Sequence, residues 1–339
     1  VSNQVQFTFY EDWQRELSQS FTSPEALGKA LNLDSNWIEL HSQARQLFPM
    51  RVPRPFVALM EPGNPKDPLL LQVLPLQNEF EPAAGFTQDP LEEQSLSGPT
   101  GLLHKYKSRV LIVLRGGCAV NCRYCFRRHF PYHEHHVSRR ELDEIDAYLA
   151  QHTEINEVIL SGGDPLMARD QHLAEVIQRM EAHPHLSRIR IHTRLPVVIP
   201  QRLTQQLATL LSDSRLDAAI VLHINHHQEI STTLKERLSL YRAQGIWLFN
   251  QSVLLRDVND SVASLTTLSE HLFSAGVLPY YIHQLDRVAG AAHFEVPEEE
   301  ARFIMQGLLE ELPGFLVPKW VREVGGERSK TPLALFHET

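Results

Sequence analysis

The sequence predicts an α/β fold: six strand-then-helix units, closed as a partial barrel or laid out as an open doubly wound sheet, behind a helical N-terminal extension. Three observations carry this. From about residue 108, short β-branched or apolar runs alternate with helical patterns. Residues 51–100 hold nine prolines, which exclude a long uninterrupted helix there. The conspicuous polar residues follow strand ends, where either parallel geometry places its site.

In chain order, Glu11–Phe21 has apolar helical spacing. Ser23-Pro24 reads as an N-cap followed by proline at the first helical position, and Asn36–Leu47 is amphipathic. The proline-rich stretch reads as short helices and extended connections wrapping a core built by later residues. Expected strands are Arg109–Leu114, Glu157–Leu160, Arg188–His192, Ala218–His223, Ile246–Gln251 and Leu278–His283. Between and after them lie the expected helices Arg139–Gln151, Arg169–Ala182, Pro200–Leu211, Glu229–Gln244, Ser261–Ala275 and Glu298–Glu311. Six units are too few for a full eight-unit barrel.

A chain of 339 residues, 42% apolar and 22% charged, buries enough surface to fold without disulfides. No apolar run approaches the roughly 18 residues that cross a bilayer, and no secretory leader is visible, so neither a membrane nor a secreted protein is expected. The net charge of −9 argues against a nucleic-acid partner. Charge is nevertheless uneven. Residues 101–140 hold nine Lys/Arg and a single acid, Glu134, which suits small anionic ligands or a solvated basic loop.

The only cysteines are Cys118, Cys122 and Cys125, an odd number within eight residues, which is no disulfide framework. They imply a reducing compartment, hence the cytoplasm. Their concentration argues against free thiols packed as small hydrophobes. Structural zinc stays open, with His129 or His133 as a fourth ligand. So does an iron–sulfur cluster, in which three thiolates on four irons leave one iron to bind a small molecule. The histidine-rich stretch His133-Glu-His-His136 reads as a polar connection.

The C-x₃-C-x₂-C spacing resembles that of the radical S-adenosylmethionine (SAM) enzymes. Tyr124 before the last cysteine and Ser161-Gly162-Gly163-Asp164-Pro165 after the second strand reinforce it. Glycine there lets backbone approach a ligand without a Cβ in the way. From Gly101 to Pro332 the chain is further similar to the lysine 2,3-aminomutase family. The matching stretches begin with Cys118-Ala-Val-Asn-Cys-Arg-Tyr-Cys-Phe-Arg-Arg, Arg194-Leu-Pro-Val-Val-Ile-Pro and His223-Ile-Asn-His. They continue with Asn250-Gln-Ser-Val-Leu-Leu-Arg-Asp, Pro279-Tyr-Tyr-Ile-His-Gln-Leu-Asp and Gly325-Gly-Glu-Arg-Ser-Lys-Thr-Pro.

That resemblance implies a partial (βα)6 barrel of the radical SAM type. It divides the chain into a wrapping segment, 1–100, the barrel, 101–312, and a C-terminal segment, 313–339, carrying a cofactor lysine. It implies a [4Fe-4S] cluster on Cys118, Cys122 and Cys125, and SAM against Ser161, Gly162, Gly163, Asp164 and His223. It implies pyridoxal 5′-phosphate on Lys330, held by Arg109, Arg194 and Gln251, and arginine suits a phosphate geometrically. Arg127 would pair with the substrate carboxylate, and Asp286 and Glu323 with the distal ammonium of L-lysine, since a buried ammonium requires such partners. Glu323 departs from the family's aspartate by one methylene. Taken alone, Lys330 reads as a surface lysine and Glu323 as a solvated helix end.

The chain ends nine residues after Lys330 with no cysteine beyond Cys125, so the zinc-linked assembly of longer members is not expected. With Arg51-Val-Pro-Arg-Pro-Phe and Asp89-Pro-Leu-Glu-Glu-Gln, the short form resembles the bacterial branch that serves elongation factor P. That branch isomerises L-lysine to (R)-β-lysine, which a separate ligase attaches to the translation factor. Flavodoxin or ferredoxin is the expected electron donor, and a homo-oligomer is compatible with the family. Two rivals are an aminomutase acting on another amino acid or giving (S)-β-lysine, and a non-enzymatic metal-binding module.

Overall fold

The computed structural model describes residues 7–93, 99–130 and 137–336. Five short helices open it: α1 (Trp13–Ser18), α2 (Pro24–Ala30), α3 (Ser35–Ser42), α4 (Arg54–Val57) and α5 (Pro68–Leu71). Their starts follow from local chemistry. Asp12, Ser23, Asp34 and Asp67 accept from orphan amides of the first turn, and Pro24 and Pro68 occupy positions where no amide is needed. Proline density keeps α4 and α5 to four residues each.

The sheet has nine strands in the order β1 to β9: β1 (Leu102–Tyr106), β2 (Arg109–Arg115), β3 (Glu157–Gly162), β4 (Arg188–Thr193), β5 (Asp217–His223), β6 (Trp247–Val253), β7 (Leu278–His283), β8 (Lys319–Arg322) and β9 (Thr331–Pro332). Strands β2 to β8 are parallel, each pairing with the next, while β1 and β9 form antiparallel hairpins at the ends. The crossovers carry α6 (Arg139–Gln151), α7 (Asp170–Glu181), α8 (Leu195–Val198), α9 (Gln205–Ser212), α10 (Thr232–Ala243), α11 (Val262–Ser274) and α12 (Glu298–Glu311).

A doubly wound sheet reverses direction at a switch point, whereas here every strand adds to the same edge. Right-handed crossovers then put all helices on one face, and the other face curls into a lumen. Alternate residues of the strands record this division. Val110, Ile112, Leu114, Val158, Leu160, Ile189, Ile191, Ile220 and Leu222 join the aliphatic core. Their neighbours Arg109, Glu157, Arg190, His192, His223 and Gln251 face the lumen by the period of two. The partial barrel expected from sequence is therefore the architecture.

Three local differences have physical reasons. The expected helix Pro200–Leu211 divides into a 3-10 turn, Pro200–Arg202, and α9, because Thr204 caps a new start at Leu207 N. The helix expected from Glu229 begins at Thr232; Glu229 is instead buried against Asn225, Gln72 and Arg194. Strands β1, β8 and β9 were not expected, being short and interrupted by charged or polar residues. Among the described residues, no helix is long and apolar enough to cross a membrane.

The N-terminal extension shares the barrel's core through Leu27, Val52, Phe56, Leu69 and Val73. No backbone ladder joins β9 back to β1 among the described residues. Side chains span that seam: Lys105 Nζ donates to Glu323 Oε1 (3.0 Å) and the Val324 carbonyl (2.8 Å), and the Tyr106 hydroxyl to Glu323 Oε1 (2.8 Å).

Candidate active site

The loop leaving β2 carries the three cysteines, and the extension pins it. The Asn121 amide donates to Arg51 O (3.1 Å), the Arg123 amide to Gln72 O (2.8 Å), and an Arg51 nitrogen to Cys118 O (3.1 Å). Arg123 and Glu79, both 0% exposed in their side chains, form a two-bonded pair, and Arg128 adds a third bond to Glu79 at 2.7 Å. The loop is thereby clamped across two elements that sequence separation does not connect.

All three cysteines line one cavity of about 720 Å3, together with Arg127, Ser161–Asp164, His192, Arg194, His223, Gln251 and Asp286. Burial, chiefly, pushes the Cys118 thiol well up and that of Cys125 up to about 12, with neighbouring cysteines adding to the effect. Such thiols ionise only against a strongly positive core. Among the described residues, no three His, Cys, Asp or Glu side chains converge on a point that would hold one metal ion. Three cysteines on the wall of one cavity suit a cluster that leaves one iron open to a small molecule. His129 spends its Nε2 on the Ala289 carbonyl at 3.2 Å. His133 and the rest of the histidine-rich stretch lie outside the described residues.

Ser161-Gly162-Gly163-Asp164 closes β3 against this loop. A Cβ on Gly162, where φ is +120°, would sit 2.5 Å from Arg115 O, and one on Gly163 would sit 2.6 Å from Gly117 O. The glycines thus permit close approach of the chain to itself at the cavity wall. Asp164 is buried and saturated: it accepts from Thr193 Oγ1 (2.7 Å) and from the amides of Arg194, Leu195 and Leu166 (2.8–3.0 Å). Its carboxylate staples the β3 and β4 ends.

Arg194 reaches the cysteine end of the cavity. It donates to Cys122 Sγ (2.8 Å), the Tyr124 hydroxyl, Gln72 Oε1 (2.7 Å) and Glu229 Oε2 (3.0 Å). Burial opposes its charge, but Cys122, Tyr124 and Glu229 outweigh that and raise its pKa. His223, at the end of β5, is half-buried at the cavity wall and neutral, pushed down to about 3 by desolvation and by Arg194.

Further sites face one another across the lumen. The β8–β9 hairpin sets Glu323 and Lys330 opposite each other, and Lys330 Nζ donates to Glu323 Oε2. Burial works upward on Glu323, yet Lys330 and Lys105 hold it down to about 2. Lys330 also lies 5.8 Å over the Tyr281 ring. Its charge reaches His192 and His283, which burial, above all, holds well below the usual imidazole range. Arg109 stacks on Tyr106 at 3.7 Å, at the start of β2; neither it nor Lys330 lines the 720 Å3 cavity. Asp286 follows β7. Its Oδ1 is buried without a hydrogen-bond partner, and burial pushes the acid up to about 7 against the pull of Lys330. Arg127 is gripped by a residue that sequence reading missed. Its Nε and Nη2 donate to the two oxygens of Glu93 at 2.6 and 2.7 Å, and its Nη1 to Ser161 Oγ (3.4 Å) and Gly162 O (3.2 Å).

Sequence reading also passed over Arg190, His192, His283, Glu79, Gln72 and Glu229. The first three carried a signal, as polar residues alternating with apolar ones in expected strands. Glu79, Gln72, Glu229 and Glu93 carried none, since the partners that give them their place in the site lie 34 to 157 residues away.

A thiol-lined cavity at the carboxyl ends of a partial parallel barrel, beside a glycine bend, defines the class. Residues 112–261 match the model of the radical SAM superfamily. A radical SAM methyltransferase from Sphaerobacter thermophilus superposes with a TM-score of 0.48 at 16% identity, over 66% of this chain and 71% of that one. Among curated proteins, the chain is 52% identical to the L-lysine 2,3-aminomutase of Escherichia coli (strain K12) over 326 residues, covering 96% of this chain and 95% of that protein. It is 49% identical to that of Haemophilus influenzae over 95% of each, and 33% identical to that of Clostridium subterminale over 96% of this chain and 78% of the relative. The chain belongs to the lysine 2,3-aminomutase family, in its short bacterial form. Its superfamily works with a four-iron cluster and SAM, and the three cysteines on one cavity and its glycine-lined wall fit both.

Proposed function

We propose that this protein isomerises L-lysine to (R)-β-lysine by 2,3-migration of the amino group, and that the product serves the modification of elongation factor P through a separate ligase. The observation that carries the reaction is the set of complementary charges around one lumen: Arg127 near the cysteines, and the acids Asp286 and Glu323 near the amine Lys330. The family membership supports lysine as substrate and a small electron-transfer protein such as flavodoxin or ferredoxin as reductant.

When bound, the reduced cluster with SAM supplies a carbon radical, and pyridoxal phosphate supplies the carbonyl that carries the migrating nitrogen. In this reading Cys118, Cys122 and Cys125 hold three irons and leave the fourth open. Ser161, Gly162 and Gly163 wall the SAM site, Asp164 fixes the bend, and neutral His223 offers an uncharged edge beside it. Lys330 is the amine that takes the pyridoxal aldehyde. The lumen suits a phosphorylated aldehyde: Arg190 Nε and His192 Nε2 are buried without partners, and Arg109 and Gln251 face the same lumen. Arg194 completes the pyridoxal phosphate set with Arg109 and Gln251, and its bond to Cys122 ties that set to the cysteine end of the cavity. Arg127 takes the substrate carboxylate, and Asp286 and Glu323 take the distal ammonium, a pairing that would repel glutamate. Residues 1–100 wrap the barrel of 101–312 and exclude water from it, while 313–339 deliver Lys330.

The test is an anaerobic assay of reconstituted protein with L-lysine, SAM, pyridoxal phosphate and a strong reductant, read by chiral chromatography. (R)-β-Lysine, lost in Cys122→Ala and Lys330→Ala, is the expected result. The (S) enantiomer would keep the mutase and remove the elongation factor P role. No β-lysine, with cluster and pyridoxal phosphate bound, would refute the substrate.

A further inference from the structure

Arg127 presents a flat two-donor edge, Nε and Nη2, which is the geometry that recognises a carboxylate in fork-to-fork fashion. That edge is engaged by a carboxylate of the protein itself, Glu93, at 2.6 and 2.7 Å, while the opposite nitrogen, Nη1, stays tied to Ser161 and Gly162. Both side chains are largely buried, 7% and 14% exposed, so the pair is no incidental surface contact.

Glu93 follows a stretch, 85–92, whose residues line a second cavity, and its amide donates to Asp89 Oδ1 (3.1 Å). Thr87 bridges Val288, its amide donating to Arg287 O (2.9 Å) and its carbonyl accepting from the Ala289 amide (2.8 Å). This second cavity, of about 630 Å3, has walls that include Asp89, Glu92, Asp286 and Glu323. The negative charge of Glu93 also acts on Asp286.

We propose that Glu93 is an internal stand-in for the substrate carboxylate: it holds Arg127 in the binding geometry, and an incoming amino acid must displace it. This rests on the substrate reading above, in which Arg127 takes the carboxylate. The exchange trades one two-bonded ion pair for another, so the guanidinium is never left buried and unpaired, an outcome that would be costly. Only a ligand that brings its own carboxylate can make the trade. The device therefore selects amino acids over amines of the same length.

The experiment measures equilibrium binding by dialysis to protein loaded with cluster and pyridoxal phosphate, without SAM so that no turnover occurs. The probes are L-lysine and L-lysinamide, which lacks the carboxylate. Glu93→Gln removes the competitor; lysine affinity should rise about five- to tenfold, lysinamide affinity should stay within twofold, and Glu93→Asp should fall between. Weaker lysine binding in Glu93→Gln, or an equal change for both probes, would overturn the proposal, because Glu93 would then be positioning Arg127 or merely packing. Arg127→Gln separates the two readings. It should abolish the preference for lysine over lysinamide, and if the preference survives, Arg127 is not the carboxylate site and the substrate reading fails along with the exchange.

Discussion

At the scale of single residues, Asp286 stands in an environment unlike the one its type suggests. Burial raises it to about 7, and one oxygen has no hydrogen-bond partner. A cation placed beside it would restore its charge, so lysine should bind with an acid limb. As pH falls below about 7 the carboxyl protonates and affinity drops; Asp286→Asn should bind weakly and lose that limb. Stability without ligand gives a second readout. The unfolded chain ionises this acid near its ordinary value, whereas the fold keeps it protonated to about 7, so burial destabilises the fold increasingly between those limits. Asp286→Asn should therefore melt higher than the parent at pH 8, with the gap closing toward pH 4. Calorimetry across pH checks it, and a constant gap would mean that the carboxyl is ionised throughout. The motifs made Asp286 visible in sequence, as they did the cysteines, because a strand end and a matching stretch both mark it. Glu93 lies in a matching stretch too, Asp89-Pro-Leu-Glu-Glu-Gln, but nothing local singles it out there: its meaning is its partner, 34 residues away.

At the scale of elements, the six long strands and most of the helices were legible from periodicity and caps. Arg139–Gln151, Leu278–His283 and Glu298–Glu311 have the bounds that the pattern indicates. What was hidden is the way elements meet. Strand β8 is four residues with charged ends, recognisable only by its pairing to β7. The 3-10 turn Gln77–Phe80 looks like any proline-bounded loop, yet it carries Glu79 into the cysteine loop. Two guanidiniums, Arg123 and Arg128, depend on that one carboxylate, and breaking a buried pair by removing one partner costs about 3–5 kcal/mol. Glu79→Ala should accordingly lower the melting temperature by several degrees. It should also reduce iron bound per chain on reconstitution, because the loop loses its clamp. Iron loading equal to the parent's would show that the extension covers the loop without shaping it.

At the scale of the whole molecule, the question is how an unfinished barrel keeps its two edges together. The sheet runs from β1 to β9 without returning, and the seam is spanned by Lys105 and Tyr106 on one side and Glu323 and Val324 on the other. These are partly exposed groups, with side chains 17% and 11% exposed for Lys105 and Glu323, so their worth to global stability is modest, on the order of 1 kcal/mol. Their placement matters more than their strength. The β8–β9 hairpin has only two registered pairs, Val321↔Pro332 and Arg322↔Thr331, and it is the element that brings Lys330 to the lumen. Beyond these pairs the Leu333 amide donates to Trp320 O (3.1 Å), and Arg302 and Gln306 hold the carbonyls of Ala334 and Leu335. A short edge hairpin opens at a fraction of the global unfolding energy, and side chains that reach across the seam raise that local cost directly. Replacing Lys105 by Ala together with Tyr106 by Phe should therefore leave the melting temperature nearly unchanged. Hydrogen exchange at Arg322 and Thr331 should quicken about tenfold, and pyridoxal phosphate, followed by its absorbance during dialysis, should be retained less well. If exchange quickens equally in β4 and β5, the seam supports the whole barrel; if it quickens nowhere, the hairpin is held from within. Either result would overturn the view that closing the barrel serves to keep one lysine in place.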